Sequence, residues 1–235
     1  MSRAVIVVPC RNEAARLRTE EFRRFGELHP EISLVFVDDG STDDTAEVLE
    51  SLASSAGNIR VLKLERNRGK AEAVRQGMLT VLPSACDCGF WDADLSTPLD
   101  EIPPMLELLR SGNFACVAGS RWLHLGECRI ERRFFRHFIG RIFATCVSLK
   151  LKLPVYDTQC GAKVFTAQAA ETAFREPFAT RWFFDVEIFM RLQKARTQAD
   201  PGVLEYPVRC WIDAPGSKVS YLRAFIDFIK LMALK

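Results

Sequence analysis

Two carboxylates one residue apart suggest metal chemistry. Asp92 and Asp94 stand in the run Gly89-Phe-Trp-Asp-Ala-Asp-Leu95, between a short apolar segment and one that begins with proline. Side chains alternate along an extended chain, so residues two apart face the same way. Such a pair can bind one hard cation, which can also bind a diphosphate. Taken alone, the pair fits better a polar turn in which Asp94 caps the next helix.

The elements that must position this pair form a repeated strand-then-helix pattern. Apolar runs rich in β-branched and aromatic residues predict five strands, at Ala4–Val8, Ser33–Val37, Arg60–Leu64, Gly89–Trp91 and Ala115–Ala118. Helical spacing of apolar residues predicts four helices, at 12–28, 42–54, 69–82 and 98–110. The expected N-caps are Asn12, Ser41 or Thr42, and Thr97. This alternation predicts an α/β fold with a mostly parallel sheet and helices on both faces.

Four successive strand ends carry polar clusters, and ligands in such sheets bind beyond the carboxyl ends of the strands. The clusters cover residues 9–13, 38–42, 66–70 and 92–94. An ordinary solvated turn explains any one of them but explains four in succession less well. Lys70, at a predicted helix N-terminus, is an expected anion contact because backbone amides and the helix dipole favour negative charge there. Together the clusters favour a metal site at Asp92 and Asp94.

Composition limits the class of protein. A chain of 235 residues, 48% hydrophobic and with a net charge of +2, predicts one large globular domain, or a core plus a small extension, without the charge signature of a nucleic-acid binder. Eight scattered cysteines indicate reduced thiols in a cytoplasmic protein. We expect no signal peptide and no transmembrane helix, because every apolar run is shorter than a span of ~18–20 residues. A soluble or peripheral protein is therefore expected.

The order of the motifs resembles that of the family 2 inverting glycosyltransferases, which have the GT-A fold. The matching segments are 7–13, 37–43, 67–71, 92–98 and 119–121. Three later segments, 157–165, 182–187 and 216–218, resemble the dolichyl-phosphate β-glucosyltransferase branch, which is related to the dolichyl-phosphate mannose synthases. The resemblance implies one GT-A domain over residues 1–235, with a nucleotide-sugar-binding half at 1–120 and an acceptor half at 121–235.

The resemblance implies roles for individual residues on the donor side. The positions that surround the base and ribose of the sugar nucleotide match Pro9, Arg11, Glu13, Asp38 and Asp39. Arg11 departs from the aromatic residue that is common there.

The metal motif of the family matches Asp92 and Asp94, and Asp94 is the expected direct ligand of Mg²⁺ or Mn²⁺. Ala93, Lys70 and Lys218 complete the set of residues expected around the nucleotide sugar. Mannose synthases usually carry Gln two residues after the second aspartate, whereas this chain has Ser96. That difference favours glucosyl over mannosyl transfer.

The implied reaction is the inverting transfer of a hexose, with glucose from UDP-glucose preferred, to dolichyl or undecaprenyl phosphate. A divalent cation and nearby side-chain cations would stabilise the charge that develops on the leaving diphosphate. Arg121, Lys163 and Lys218 are the candidates for those side-chain cations, and each could instead be a solvated surface charge.

The acceptor phosphate is already largely ionised at neutral pH, so it needs little help from a base. Asp157, Asp185 and Glu187 are therefore expected to orient the acceptor or its neighbours. Asp185 stays a base candidate, because many relatives with hydroxyl acceptors place a base near this position; otherwise it is an ordinary carboxylate at a helix start.

Two amphipathic segments predict contact with a membrane surface. The segment 129–153 combines a cluster of arginines with an apolar face, which indicates a helix lying on an anionic membrane or packed on the sheet. The segment 221–235 has apolar residues at helical spacing. The expected location is the cytoplasmic face of a membrane, reached through these segments or through a partner membrane protein.

Three other functions remain open at this stage. The donor could be GDP-mannose, as in the mannose synthases. The chain could also be a non-catalytic nucleotide-sugar-binding module, although its complete metal pair and 157–163 segment argue against loss of activity. A nucleotidyltransferase would need a glycine-rich loop after the first strand, and residues 9–13 contain no glycine.

Overall fold

A seven-stranded sheet organises the described part of the chain, which in this computed structural model comprises residues 4–112, 114–121, 130–131, 155–196, 202–212 and 221–233. Its strands are β1 Ala4–Cys10, β2 Ile32–Asp38, β3 Ile59–Lys63, β4 Asp87–Trp91, β5 Phe114–Ser120, β7 Ala162–Thr166 and β8 Gly202–Pro207, with β6 Ile130–Glu131 and β9 Trp211–Ile212 forming a separate pair. The helices are α1 Thr19–Leu28, α2 Thr45–Ser55, α3 Lys70–Val81, α4 Ile102–Ser111, α5 Ala167–Phe174, α6 Phe184–Ala195 and α7 Tyr221–Ala233. Within the described ranges, none of these helices has the length and apolarity needed to cross a membrane.

The strand order in the large sheet is β3-β2-β1-β4-β7-β5-β8. Every neighbouring pair is parallel except the two pairs that include β7, which runs antiparallel to β4 and to β5. The predicted α/β fold with a mostly parallel sheet is therefore confirmed. The sequence patterns predicted β1 to β5 but neither β7 nor β8.

Two apolar clusters cover the two faces of the sheet, because successive side chains of each buried strand point to opposite faces. In β1, Val5 and Val7 pack in the cluster that includes α3, α5 and α6, whereas Ile6 and Val8 pack in the cluster that includes α1, α2 and α4. Both sets are almost completely buried. Strands buried on both faces account for the continuous apolar runs in the sequence.

The first two helices begin later than predicted. α1 begins at Thr19 instead of near Asn12, and α2 begins at Thr45 instead of near Thr42. Asn12 has a φ of 52°, and its side-chain oxygen accepts a hydrogen bond from the backbone N–H of Thr42 at 2.9 Å. The expected N-cap roles of Asn12 and of Ser41 or Thr42 were wrong, since these side chains connect two loops at the sheet edge.

The third expected N-cap was also wrong. The hydroxyl of Thr97 lies 3.8 Å from Cys160 Sγ, and no side chain caps α4. A single 3₁₀ turn at Leu99–Glu101 precedes α4, so the helix begins four residues later than the proline that was expected to open it.

Candidate active site

The antiparallel strand β7 brings an additional loop to the edge where the parallel strands end. Because β7 runs opposite to β4, its first residue lies beside the last residue of β4, and Trp91 pairs with Ala162. One step further, the backbone N–H of Asp92 donates to the carbonyl of Gly161 at 2.9 Å. The loop over residues 157–161 therefore adjoins the Asp92–Asp94 segment.

Asp92 is held between Gly161 and Lys70. A Cβ atom on Gly161 would lie 2.0 Å from Asp92 Oδ2, so only glycine leaves room for this carboxylate. On its other side, the Nζ atom of Lys70 lies 2.5 Å from Asp92 Oδ1. Burial lowers the pKa of Lys70, but the carboxylates of Asp92, Asp185 and Asp94 outweigh it and raise the pKa, so the ammonium stays charged.

Asp94 presents its carboxylate from a strained turn. Its Oδ1 atom accepts a hydrogen bond from the backbone N–H of Ser96 at 2.9 Å, and the side chain is partly exposed. Leu95 has a φ of 51°, a conformation that is unfavourable for an apolar L-residue and that surrounding contacts must enforce. One such contact is the hydrogen bond from Arg18 Nη2 to the carbonyl of Leu95 at 2.9 Å. Ala93, between the two aspartates, is buried.

The residues present fit a divalent cation that is shared with a substrate. In the described ranges, no three His, Cys, Asp or Glu side chains form a cluster that could hold a metal by itself. Mg²⁺ in particular is usually bound through one or two carboxylates together with substrate phosphates. Asp94 can offer such an oxygen at this edge, and Asp92 is already paired with Lys70.

Asp38 and Asp39 are buried and fix the neighbouring loops. Asp38 Oδ1 accepts hydrogen bonds from the backbone N–H and the hydroxyl of Ser41, at 3.1 and 2.5 Å. The carboxylate of Asp39 accepts from the backbone N–H groups of Arg68 and Gly69, at 2.6 and 2.8 Å. Burial raises the pKa of Asp39 in spite of these bonds. Asp39 thereby holds the loop that presents Lys70.

The three residues expected at the end of β1, Pro9, Arg11 and Glu13, differ from one another in their surroundings. Pro9 is half-buried within β1, and the buried carboxylate of Glu13 pairs with the Arg16 guanidinium. The backbone N–H groups of Glu13 and Ala14 both donate to the hydroxyl of Thr45. Of the three residues expected here, Arg11 lines the cleft described next.

A cleft of about 680 Å³ lies at this edge of the sheet. The expected residues Arg11, Lys70 and Asp185 line it. Its other lining residues were not named individually as site residues. Asn67, Gly69, Gln159 and Trp182–Phe184 lie in segments that carry the family resemblance, whereas Arg181, Ile226, Asp227 and Lys230 lie outside them. The aromatic run after Arg181, directly before the Asp185 carboxylate, is the sequence signal that could have indicated this wall.

Lys163 is buried beneath the cleft and contacts Asp185. Its side chain is fully buried, and its Nζ atom donates to Asp185 Oδ1 and to the carbonyl of Cys160, both at 2.6 Å. The ammonium also lies over the rings of Phe90 and Phe189. Burial raises the pKa of Asp185 despite the nearby ammonium groups. The prediction that the Lys163 ammonium contacts the leaving group directly was wrong, because this ammonium is fully buried and is paired with Asp185.

The partly buried Arg121 and the buried Asp157 form an ion pair. Arg121 Nε and Nη2 donate to the two oxygens of Asp157 at 2.6 and 2.7 Å, and the Arg121 backbone N–H adds a third bond at 2.9 Å. Burial raises the pKa of Asp157, but attraction by the guanidinium outweighs it and lowers the pKa below its ordinary value. Glu205 accepts from the backbone N–H groups of Tyr156 and Asp157 at 2.7 and 2.8 Å. These bonds fix the 157–161 loop.

The two carboxylates of Glu187 and Asp227 hold the aromatic wall of the cleft. Glu187 accepts from the backbone N–H groups of Ala179 and Thr180 at 3.0 and 2.7 Å, so its carboxylate binds a loop, and its expected role near the acceptor stays a prediction. Asp227, on α7, accepts from the backbone N–H groups of residues 181 and 182 at 3.0 and 3.2 Å. Lys218 and almost all of the basic segment 129–153 lie outside the described residues.

Comparisons with known proteins show which family this chain resembles. The family model described as "Glycosyl transferase family 2" matches residues 5–174. A protein of Dictyostelium discoideum named dolichyl-phosphate beta-glucosyltransferase is 30% identical over 240 residues, covering 96% of this chain and 71% of its own.

Solved structures show the same fold. The structure of glucosyl-3-phosphoglycerate synthase from Mycobacterium tuberculosis has a TM-score of 0.70 at 18% identity, and the match covers 99% of this chain and 80% of that one. The same synthase in complex with Mn²⁺, UDP-glucose and phosphoglyceric acid has a TM-score of 0.64 at 20% identity, covering 91% of this chain and 73% of that one. At this identity the likeness establishes the GT-A fold alone.

Proposed function

This chain belongs to glycosyl transferase family 2, and we propose that it transfers glucose from UDP-glucose to dolichyl or undecaprenyl phosphate, with inversion at the anomeric carbon. The observation that carries this proposal is the 30% identity, along 96% of the chain, to a protein named for that transfer. The cleft supports it, because Lys70, which is paired with Asp92, lines it together with two further cations, Arg181 and Lys230, and with aromatic and aliphatic side chains.

The donor occupies the sheet edge in this proposal. Pro9, Arg11, Glu13, Asp38 and Asp39 surround the base and ribose, as the family resemblance implies. The diphosphate lies at the N-terminus of α3, where the helix dipole and the ammonium of Lys70 favour negative charge. Asp94, with Asp92 near it in the same segment, would hold Mg²⁺ or Mn²⁺. When bound, the cation stabilises the negative charge that develops on the leaving diphosphate.

The reaction is a direct displacement. An oxygen of the acceptor phosphate donates a lone pair to the anomeric carbon, on the face opposite the diphosphate. The bond from that carbon to the diphosphate oxygen breaks, and its electron pair leaves with the diphosphate. No proton has to be removed, since the acceptor is ionised at neutral pH. Asp185 therefore orients the reactants, and Lys163 keeps its carboxylate in place.

The acceptor enters at the end of the cleft near α7. Arg181 and Lys230 line this end and would bind the lipid phosphate. Trp182 is 37% exposed and Ile226 is 45% exposed, while Ile229, one turn further along α7, is 55% exposed. Aromatic and aliphatic side chains beside cations suit a polyprenyl chain at an anionic membrane surface.

The same arrangement supports two broader proposals. The enzyme acts at the cytoplasmic face of a membrane, which it contacts through α7 and the basic segment 129–153 or through a partner membrane protein. Residues 1–120 form the donor half of the domain, and residues 121–235 form the acceptor half.

A transfer assay tests the function. The protein is incubated with Mn²⁺ or Mg²⁺, with radiolabelled UDP- or GDP-sugars, and with dolichyl or undecaprenyl phosphate, and the lipid product is extracted. We expect the highest rate with UDP-glucose. A higher rate with GDP-mannose would replace the proposed donor. The absence of lipid product from every donor, with UDP-glucose still bound, would favour a non-catalytic binding module.

The metal site is tested by Asp94→Ala, which should abolish metal-dependent transfer and leave the fold intact. The matched control is Asp100→Ala, since Asp100 is an exposed aspartate six residues further along the chain. Equal loss in both variants would show that the effect is not specific to the metal site. Full activity of Asp94→Ala would place the metal ligand elsewhere.

A further inference from the structure

One buried amide in the cleft lacks a partner. The Nε2 atom of Gln159 is buried, and no hydrogen-bond acceptor is found for it in the described part of the chain. Gln159 is also one of the residues that line the cleft. Buried side-chain polar atoms are almost always hydrogen-bonded, so an unpaired amide at a cleft surface indicates a ligand group that would complete it.

The backbone around Gln159 is fixed on both sides. Its own N–H donates to Asp157 Oδ1 at 3.2 Å, and Asp157 is bound to Arg121. At the next residue, the carbonyl oxygen of Cys160 accepts a hydrogen bond from the ammonium of Lys163. The backbone that carries the amide is therefore fixed, so only the side-chain rotamers of Gln159 have to be ordered when it binds a ligand.

The loop that carries Gln159 adjoins both Asp92 and the Lys163–Asp185 pair. Two residues further on, Gly161 contacts the carboxylate of Asp92 at the proposed diphosphate end. Through Lys163, the neighbouring Cys160 is connected to Asp185. A hexose attached to a diphosphate beside Asp92 and directed toward Asp185 would pass near Gln159.

We propose that Gln159 hydrogen-bonds a hydroxyl group of the transferred hexose and thereby selects among sugar donors, an inference that rests on the proposed function. A carboxamide both donates and accepts hydrogen bonds, and so does a sugar hydroxyl. Phosphate groups need positive charge, which Lys70, Arg181 and Lys230 supply elsewhere in the cleft. The neutral amide thus suits the uncharged part of the donor.

The experiment measures binding without any acceptor, so it does not depend on transfer. Isothermal titration with Mn²⁺ gives the affinities of UDP, UDP-glucose and the 2-, 3-, 4- and 6-deoxyglucose analogues of UDP-glucose. Wild-type protein and two variants, Gln159→Leu and Gln159→Ala, are compared. Leucine removes the amide at similar volume, whereas alanine leaves space for water, so one variant remains informative if the other folds poorly by thermal unfolding.

For the wild type we expect one deoxy analogue to bind about tenfold more weakly than UDP-glucose, as expected for one lost hydrogen bond in a closed site. In the variants, the affinity for UDP-glucose should fall by about the same factor. That analogue should then bind about as tightly as UDP-glucose. The affinity for UDP alone should stay unchanged.

Two results would overturn the inference. One is that the variants distinguish the four analogues to the same extent as the wild type. The other is that the variants lose as much affinity for UDP alone as for UDP-glucose, since the amide would then bind the nucleotide. The separate transfer assay decides the proposed function, so failure of one proposal is distinguishable from failure of the other.

Discussion

Gly161 offers a direct test of how the catalytic edge is assembled. In Gly161→Ala the new Cβ atom would lie 2.0 Å from Oδ2 and 2.1 Å from Cγ of Asp92, whereas ordinary contacts begin at 3.4 Å. The backbone of Gly161 does not adopt the left-handed conformation that disfavours alanine. The clash with Asp92 is therefore the main consequence of the substitution.

Relief of this clash requires Asp92 to move by more than an ångström, because the neighbouring atoms of β7 are held in the sheet. That movement breaks the 2.5 Å contact between Lys70 Nζ and Asp92 Oδ1. Misplacement of this size in an active site reduces rates by roughly 10²-fold. We expect that loss in kcat/KM for transfer, with a cost of about 1–3 kcal/mol in the free energy of unfolding.

The assay combines lipid transfer from UDP-glucose with UDP titration and urea unfolding. Gly202→Ala is the matched control, since its Cβ atom would lie 3.7 Å from the nearest heavy atom, Arg196 Nη2. This control should retain full transfer. A folded Gly161→Ala protein with wild-type transfer would refute the reasoning, because it would show that the position of Asp92 against Lys70 does not matter.

Three further predictions concern buried carboxylates. Asp157→Asn should lower the free energy of unfolding at pH 7 by about 1.5–3 kcal/mol, the range for hydrogen bonds to charged groups. Burial raises the folded-state pKa of Asp157, but attraction by Arg121 outweighs it and lowers that pKa below 3.8. The stabilisation is therefore present above pH 3.8 and is lost as the pH falls through the folded-state pKa. Equal stabilities of wild type and variant at pH 7 would contradict this prediction. Lys163→Met should cost about 3–5 kcal/mol in urea unfolding, because it leaves Asp185 buried without a partner, and the double variant with Asp185→Asn should recover part of that loss. Asp227→Ala should raise KM for the lipid acceptor while UDP titrations stay unchanged, since it removes two hydrogen bonds from the cleft wall; weaker UDP binding would place its effect at the donor end instead.

Local patterns were enough to predict the donor side of the fold. β1, β2 and β4 are short apolar runs that are almost entirely buried, so their sequences report their environment directly. β3, at the edge of the sheet, is only partly buried. The carboxyl ends of parallel neighbours must meet at one edge, which is why Asp39, Lys70 and Asp92 could be expected together. The late starts of α1 and α2 could not be predicted, because Asn12 and Thr45 form hydrogen bonds to residues about thirty positions away.

The sequence by itself determined the family, the parallel α/β framework and the Asp92–Asp94 pair. These features depend on residue types in short runs and on the order of those runs. Tertiary structure alone decided that β7 enters the sheet antiparallel, which puts Gly161 against Asp92 and Gln159 in the cleft. It also decided that Lys163 lies buried with Asp185. Charge and spacing in a sequence do not report burial, so an exposed cation and a buried one look alike until the chain is folded.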